Sequence, residues 1–109
     1  MSIRVELTHD AKADLNRLAD YIARHHSIDQ ATYVIEKLQA VVAKLSTFPQ
    51  RGAYPPELLA LGIREYRQVF FKPYRLVYRI VGKRVVVLLI ADGRRDFASL
   101  LAERLLTQE

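Results

Sequence analysis

The chain has no cysteine. A disulfide framework and a thiolate metal site go with it. It also has no long apolar run. The opening "MSIRVELTHD" carries charges within its first ten residues, which argues against a signal peptide, and no stretch reaches the length of a membrane span. Internal repeats, low-complexity tracts and linkers are absent too, so residues 1–109 are expected to form one domain. Half the residues are hydrophobic and 27% are charged, an ordinary globular mix that can bury one core without staples. The expected class is a soluble, cytoplasmic protein with no cofactor.

What is present is basic charge, unevenly placed. The formal net charge is +5. Between residues 64 and 95 stand Arg64, Arg67, Lys72, Arg75, Arg79, Lys83, Arg84, Arg94 and Arg95, against only Glu65 and Asp92. Such a stretch raises the local concentration of anionic partners, whether nucleic acid or an acidic protein segment. The plain alternative is a solvated sheet face.

Periodicity supplies the elements. "IRVEL" (3–7) alternates like a strand with one buried face. Thr8 is placed to cap a helix over residues 9–25, with Asp10 in its first turn and Ala11, Leu15, Leu18, Ala19 and Ile22 on one stripe. "HHSID" (25–29) interrupts, and Ser27 or Asp29 can cap a second helix. Its stripe of Ala31, Val34, Leu38, Val41, Leu45 and Phe48 runs until Pro49 stops it, giving an αα-hairpin. "PQRGAYPPE" (49–57) is a loop, and "LLALG" (58–62) reads as one turn closed by Gly62. Strands follow at "IREYRQVFF" (63–71), "YRLVYRIV" (74–81) and "RVVVLLIA" (84–91). Gly82-Lys83 suits a two-residue hairpin with glycine first. The last strand is apolar on both faces and belongs inside the sheet. "DGRRDFASLLAERLL" (92–106) returns to helical spacing, with Asp96 as cap. The fold class is α+β: an N-terminal strand, an αα-hairpin, a three-stranded antiparallel meander completing a four-stranded sheet, and a C-terminal helix, with the helices expected on one face.

That order, together with "YRLVYRI" and with "GRRD" at the end of the last strand, resembles the RelE/ParE superfamily of bacterial type II toxins over essentially the whole chain. The resemblance implies a toxin held inactive by a co-encoded antitoxin. RelE-type members cleave messenger RNA on the ribosome. That chemistry wants arginines or lysines around the scissile phosphate, with a proton donor and an acceptor. Arg75 and Arg95 match two family arginines, and Arg67 is the one candidate for the basic pair of the second strand. The tyrosine that RelE carries near its C-terminus has no counterpart in "FASLLAERLL". His9, His25 and His26 fall at a helix start and in a helical turn, where histidines are more often solvated than catalytic. A metal site from His25, His26 and Asp29 is disfavoured, since adjacent residues seldom converge on one ion.

ParE-type members instead poison DNA gyrase and need a complementary surface rather than a catalytic set. The long helical hairpin and "RRDFASLLAERLL" resemble that branch more, so the expected target is DNA gyrase. The alternatives are ribosome-dependent messenger-RNA cleavage by Arg67, Arg75 and Arg95, or a non-toxic nucleic-acid-binding module. Arg75 could pair with Glu65 or Asp96. The basic residues of its segment cannot all be paired internally, and Arg75, Arg79, Arg94 and Arg95 are read as a contact surface. Tyr21, Tyr33, Tyr54 and Phe70 are the aromatic candidates for antitoxin contact.

Overall fold

The computed structural model describes residues 3–107. The chain runs β1 (Arg4–Leu7), α1 (His9–His25), α2 (Ile28–Lys44), α3 (Pro56–Leu59), β2 (Arg67–Phe71), β3 (Tyr74–Val81), β4 (Arg84–Asp92) and α4 (Phe97–Thr107). The strands form one mixed sheet in the order β1-β4-β3-β2. Its β2-β3-β4 part is an antiparallel meander, and β1 lies parallel to β4.

Local chemistry accounts for most boundaries. The Thr8 hydroxyl accepts the Ala11 N–H at 3.0 Å and starts α1; the Ser27 hydroxyl accepts the Gln30 N–H at 2.9 Å and starts α2. At Gly82 φ is +60° while among the described residues no non-glycine has positive φ, so the β3–β4 hairpin is a type II′ turn, with Val81 opposite Arg84. After α3, Ile63 N–H bonds the Leu58 carbonyl and Gly62 N–H that of Leu59, with Gly62 at φ +78°. This is the paired closure that favours glycine just past a helix end.

Three expectations are corrected. Helix α2 stops at Lys44 rather than at Pro49, because the chain turns away to bond β1. Ile3 N–H donates to the Ser46 carbonyl at 3.0 Å, and the Ser46 hydroxyl donates to the Ile3 carbonyl at 2.8 Å. Leu45 remains fully buried, but Phe48, expected on the same stripe, is 61% exposed. Strand β2 begins at Arg67, not Ile63, since Ile63 is used to close the turn after α3. The helices do not share one face. Leu76, Tyr78, Val85, Val87 and Ile90 pack under α1 and α2, whereas Val77, Leu89 and Ala91 pack on the opposite side against Phe97 and Leu101 of α4 and Leu58 of α3. A bulge changes which β4 residues face each layer. Tyr78 is opposite Val87 while Val77 is opposite Leu89, so Leu88 is extra and the alternation of β4 changes face there.

One buried charge ties the two layers. Asp14 lies on the apolar stripe of α1, accepts the Ile90 N–H at 2.9 Å, and takes two bonds from the Arg104 guanidinium at 2.8 and 2.9 Å. Arg104 also donates to the carbonyl of the bulged Leu88.

A second polar contact docks the loop after α2. The Tyr78 hydroxyl donates to the Pro49 carbonyl at 2.6 Å and accepts the Gly52 N–H at 3.0 Å. Burial raises the Tyr78 phenol's pKa. A Cβ on Gly52 would sit 2.6 Å from the Gln68 carbonyl oxygen and 2.7 Å from the Tyr78 hydroxyl, both fixed groups. Gly52→Ala is therefore expected to cost about 1–3 kcal/mol by overpacking, read as a lower urea midpoint. An unchanged midpoint would mean that the loop is not held there.

Candidate functional site

The basic residues that the sequence singles out are divided by the fold. Cross-strand partners share a face. Arg75 is opposite Phe70 and Ala91, on the α4 side; Arg67 is opposite Tyr78, on the α1–α2 side. Two members of the trio considered for RNA cleavage thus project from opposite faces of the sheet.

Arg75 is 8% exposed. Its Nη1 and Nη2 bond the two carboxylate oxygens of Glu57 at 2.8 and 2.9 Å, and its Nε bonds the Gln68 amide oxygen at 3.0 Å, which Nη2 also reaches. The guanidinium carbon lies 3.8 Å from the centroid of the Phe97 ring, a stacked cation–π contact. Gly93 lets the stem pass, since a Cβ there would come within 2.7 Å of the Arg75 Cδ. Sequence reasoning paired Arg75 with Glu65 or Asp96. The partner is Glu57, and the Asp96 carboxylate instead caps α4 through the Ser99 N–H and hydroxyl. The Glu57 pKa is lowered, first by its hydrogen bonds from Arg75. Glu57 lies just after two prolines in a segment readable only as loop, so nothing in its spacing pointed to Arg75.

Arg67 holds the loop. Its Nη1 donates to the Gly52 carbonyl at 2.8 Å and the Gln50 carbonyl at 3.3 Å, and the guanidinium lies 4.7 Å from the Tyr54 ring centroid. Tyr54 is accordingly half-buried in this internal contact. Arg94 pairs locally with Asp92 at 2.7 Å while staying exposed, and that contact lowers the Asp92 pKa. Beside it lie Tyr74 and Tyr21, and burial is the main reason that the Tyr74 phenol's pKa is raised. Arg95 is exposed, and among the described residues its side chain has no hydrogen-bond or ion-pair partner. Arg79 is half-buried and equally without a partner among the described residues.

The aromatic candidates lie on the surface in different places. Tyr33 of α2 meets Phe71 edge-on, and Lys37 lies over its ring. Phe70 is half-exposed on the other side of β2, near Arg75. Tyr21 packs against the His25 ring at 4.3 Å. His9, His25 and His26 are exposed on or beside α1. Arg67, Arg75 and Arg94 are structurally engaged, Arg79 and Arg95 stand toward opposite ends of the sheet without a side-chain partner among the described residues, and the exposed aromatics are scattered. It offers contact surfaces, and Arg67, Arg75 and Arg95 do not converge.

Residues 5–97 match the family described as "ParE toxin of type II toxin-antitoxin system, parDE". The chain is 30% identical over 101 residues to Toxin ParE3 of Caulobacter vibrioides, spanning 93% of this chain and 97% of that protein. Among solved structures it is similar to a chain of the chromosomal ParDE toxin–antitoxin system from P. aeruginosa. The TM-score there is 0.70 at 20% identity, over 84% of this chain and 96% of the other. A chain of the RelBE2 toxin–antitoxin complex from Mycobacterium tuberculosis gives a TM-score of 0.62 at 22% identity, over 84% and 99%.

Proposed function

The chain belongs to the ParE toxin family and is the toxin of a type II toxin–antitoxin system, and from that premise we propose that it arrests growth by inhibiting DNA gyrase. A co-encoded antitoxin is its partner and neutralises it. Toxin and target meet in the cytoplasm, in keeping with the absence, among the described residues, of any helix long and apolar enough to cross a membrane.

The observation that favours gyrase over RNA cleavage is the state of Arg75. An arginine that is to stabilise charge building on a phosphate must present free donors to it. Here Glu57 and Gln68 take those donors, and Phe97 covers the guanidinium. Gyrase inhibition asks only for a complementary surface. Arg94, Arg95, Tyr21, Tyr33 and Phe70 are its assigned contact positions, because all five are exposed.

Pulse labelling after induction without antitoxin tests the target. Thymidine incorporation is expected to fall before methionine incorporation in the same culture. Methionine falling first would replace gyrase inhibition by RNA cleavage. If neither falls, the chain does not act as a toxin on either process.

A further inference from the structure

Aromatic rings gather in a line where the tip of the helical hairpin meets one end of the sheet. Phe71, the last residue of β2, is the cross-strand partner of Tyr74, the first of β3, and Tyr74 is also the partner of Asp92, the last of β4. Cross-strand partners share a face. Here it is the α1–α2 face, where both rings border the core. On one side α2 extends the line, with the Tyr33 ring edge-on to Phe71 at 6.2 Å between centroids. On the other side α1 extends it: Tyr21 lies beside Tyr74, and its ring packs on that of His25 at 4.3 Å. Five rings thus run from His25 past the ends of β3 and β2 to Tyr33. All keep surface in solvent; His25, Tyr21 and Tyr33 are exposed, Tyr74 and Phe71 half-buried.

The charges along the line favour one end of it. Arg94 lies by Tyr74 and Tyr21. Its Nε and Nη2 bond Asp92, while its Nη1 makes no hydrogen bond among the described residues. Arg95 follows it, exposed and without a side-chain partner among the described residues. Asp92 is thereby neutralised, and Asp20, adjacent to Tyr21 in the chain, does not share its helix face. At the far end Lys37 lies over the Tyr33 ring, but Asp29 and Glu36 stand one helical turn to either side of it. The end that attracts anions is the one with Tyr21, Tyr74 and Arg94.

We propose that this end of the line binds an unpaired stretch of DNA, with bases stacked on Tyr21 and Tyr74 and phosphates against Arg94 and Arg95. The proposal rests on the gyrase reading, which makes DNA the nucleic acid at hand, and adds which part of the gyrase–DNA assembly the toxin touches. A duplex turns its bases inward and meets these positions with its phosphates, which asks for cations and for no rings. An acidic peptide would likewise use the cations alone. Every unpaired base has a flat face to set on a ring, and rings in succession beside cations suit such a strand.

The test uses the purified chain, free of antitoxin, and a fluorescein-labelled strand of about 12 thymidines, within the usual span of such sites, with binding read by anisotropy. The strand should bind, and more weakly as salt rises from about 50 to 200 mM. Tyr21→Ala should weaken binding about 5- to 100-fold, the scale of one lost base–ring stack. Tyr21→Phe keeps the ring and should bind like the unaltered chain. Arg95→Ala should reduce the salt slope by about 0.7, the share of one phosphate contact on a single strand. Arg95 has no internal partner among the described residues, so this arm decides even where Tyr21→Ala lowers the thermal midpoint. A strand that does not bind, or that binds folded Tyr21→Ala as tightly as the unaltered chain, overturns the proposal. Tighter binding of the matching duplex, or of a uridine RNA strand, overturns it too. Pulse labelling decides the gyrase reading separately: if thymidine incorporation falls first while no strand is bound, gyrase inhibition stands and this proposal does not.

Discussion

Replacing Asp14 by alanine is expected to destabilise the chain by about 3–5 kcal/mol, the scale of breaking a buried ion pair by removing one partner. That is a large share of the about 5–15 kcal/mol that holds a domain together. Asp14 is 7% exposed and serves two purposes. β1 ends opposite Val87, so the stretch of β4 beyond it has no strand on that side. The Asp14 carboxylate takes the place of that strand for the Ile90 N–H, and Arg104 does so for the Leu88 carbonyl. Alanine would leave the Ile90 N–H without an acceptor and the Arg104 side chain, 15% exposed, with the Leu88 carbonyl and a single carboxylate, Asp10, at 3.9 Å. Asp14 also raises the pKa of Arg104, so its removal disfavours a charge that stays in place. Arg104→Ala should cost a similar amount. A double Asp14→Leu/Arg104→Met variant should lose clearly less than the two single losses combined, because no uncompensated charge remains. Urea unfolding decides. Additive losses, or a single variant within about 0.5 kcal/mol of the parent, would show that this pair does not hold the two layers together.

The same pair marks where the sequence stops being readable. Local signals at Thr8, Ser27, Asp96 and Gly82 name their own elements, because a cap or a turn is decided by residues three or four apart. The two-sided apolar run of β4 likewise shows that it lies inside the sheet. Asp14 breaks the apolar stripe of α1, but apart from Arg17 one turn on, its partners lie 76 and 90 residues away, and no period connects those. The late start of β2 depends on how Ile63 closes α3. Which residues of β4 face α4 depends on one extra residue, Leu88. The basic patch was visible as composition, yet its division was not. Whether Arg67, Arg75, Arg79 or Arg95 is free depends on which carboxylates and carbonyls the fold brings beside each. The family resemblance supplied the class of function, and it could not show that Glu57 takes the donors of Arg75.

The Glu57–Arg75 contact should make stability depend on pH in a way that one variant isolates. Arg75→Ala is expected to cost about 2–4 kcal/mol. That is slightly under the about 3–5 of a fully buried pair, because the Glu57 side chain keeps 26% of its exposure. Glu57→Gln keeps the shape and one neutral acceptor, and at neutral pH it should cost about 1.5–3 kcal/mol, the worth of a hydrogen bond to a charged group. The Glu57 pKa is lower in the folded chain than in the unfolded one. As pH falls from the ordinary glutamate value of about 4.3, the unfolded chain takes up its proton first, and the stabilisation declines until the folded carboxylate is protonated too. The gap between the parent and Glu57→Gln should therefore be full at neutral pH and close on the acid side of about pH 4. Asp92 and Asp96 are shifted downward as well, by Arg94 and by Ser99 respectively. Both proteins share those shifts, so they cancel in the difference. Urea midpoints from pH 7 to pH 3 measure it. A gap that stays constant across that range would mean that the Glu57 charge does not anchor Arg75. The arginine would then be available to an anionic partner, and the main support for gyrase inhibition over RNA cleavage would be lost.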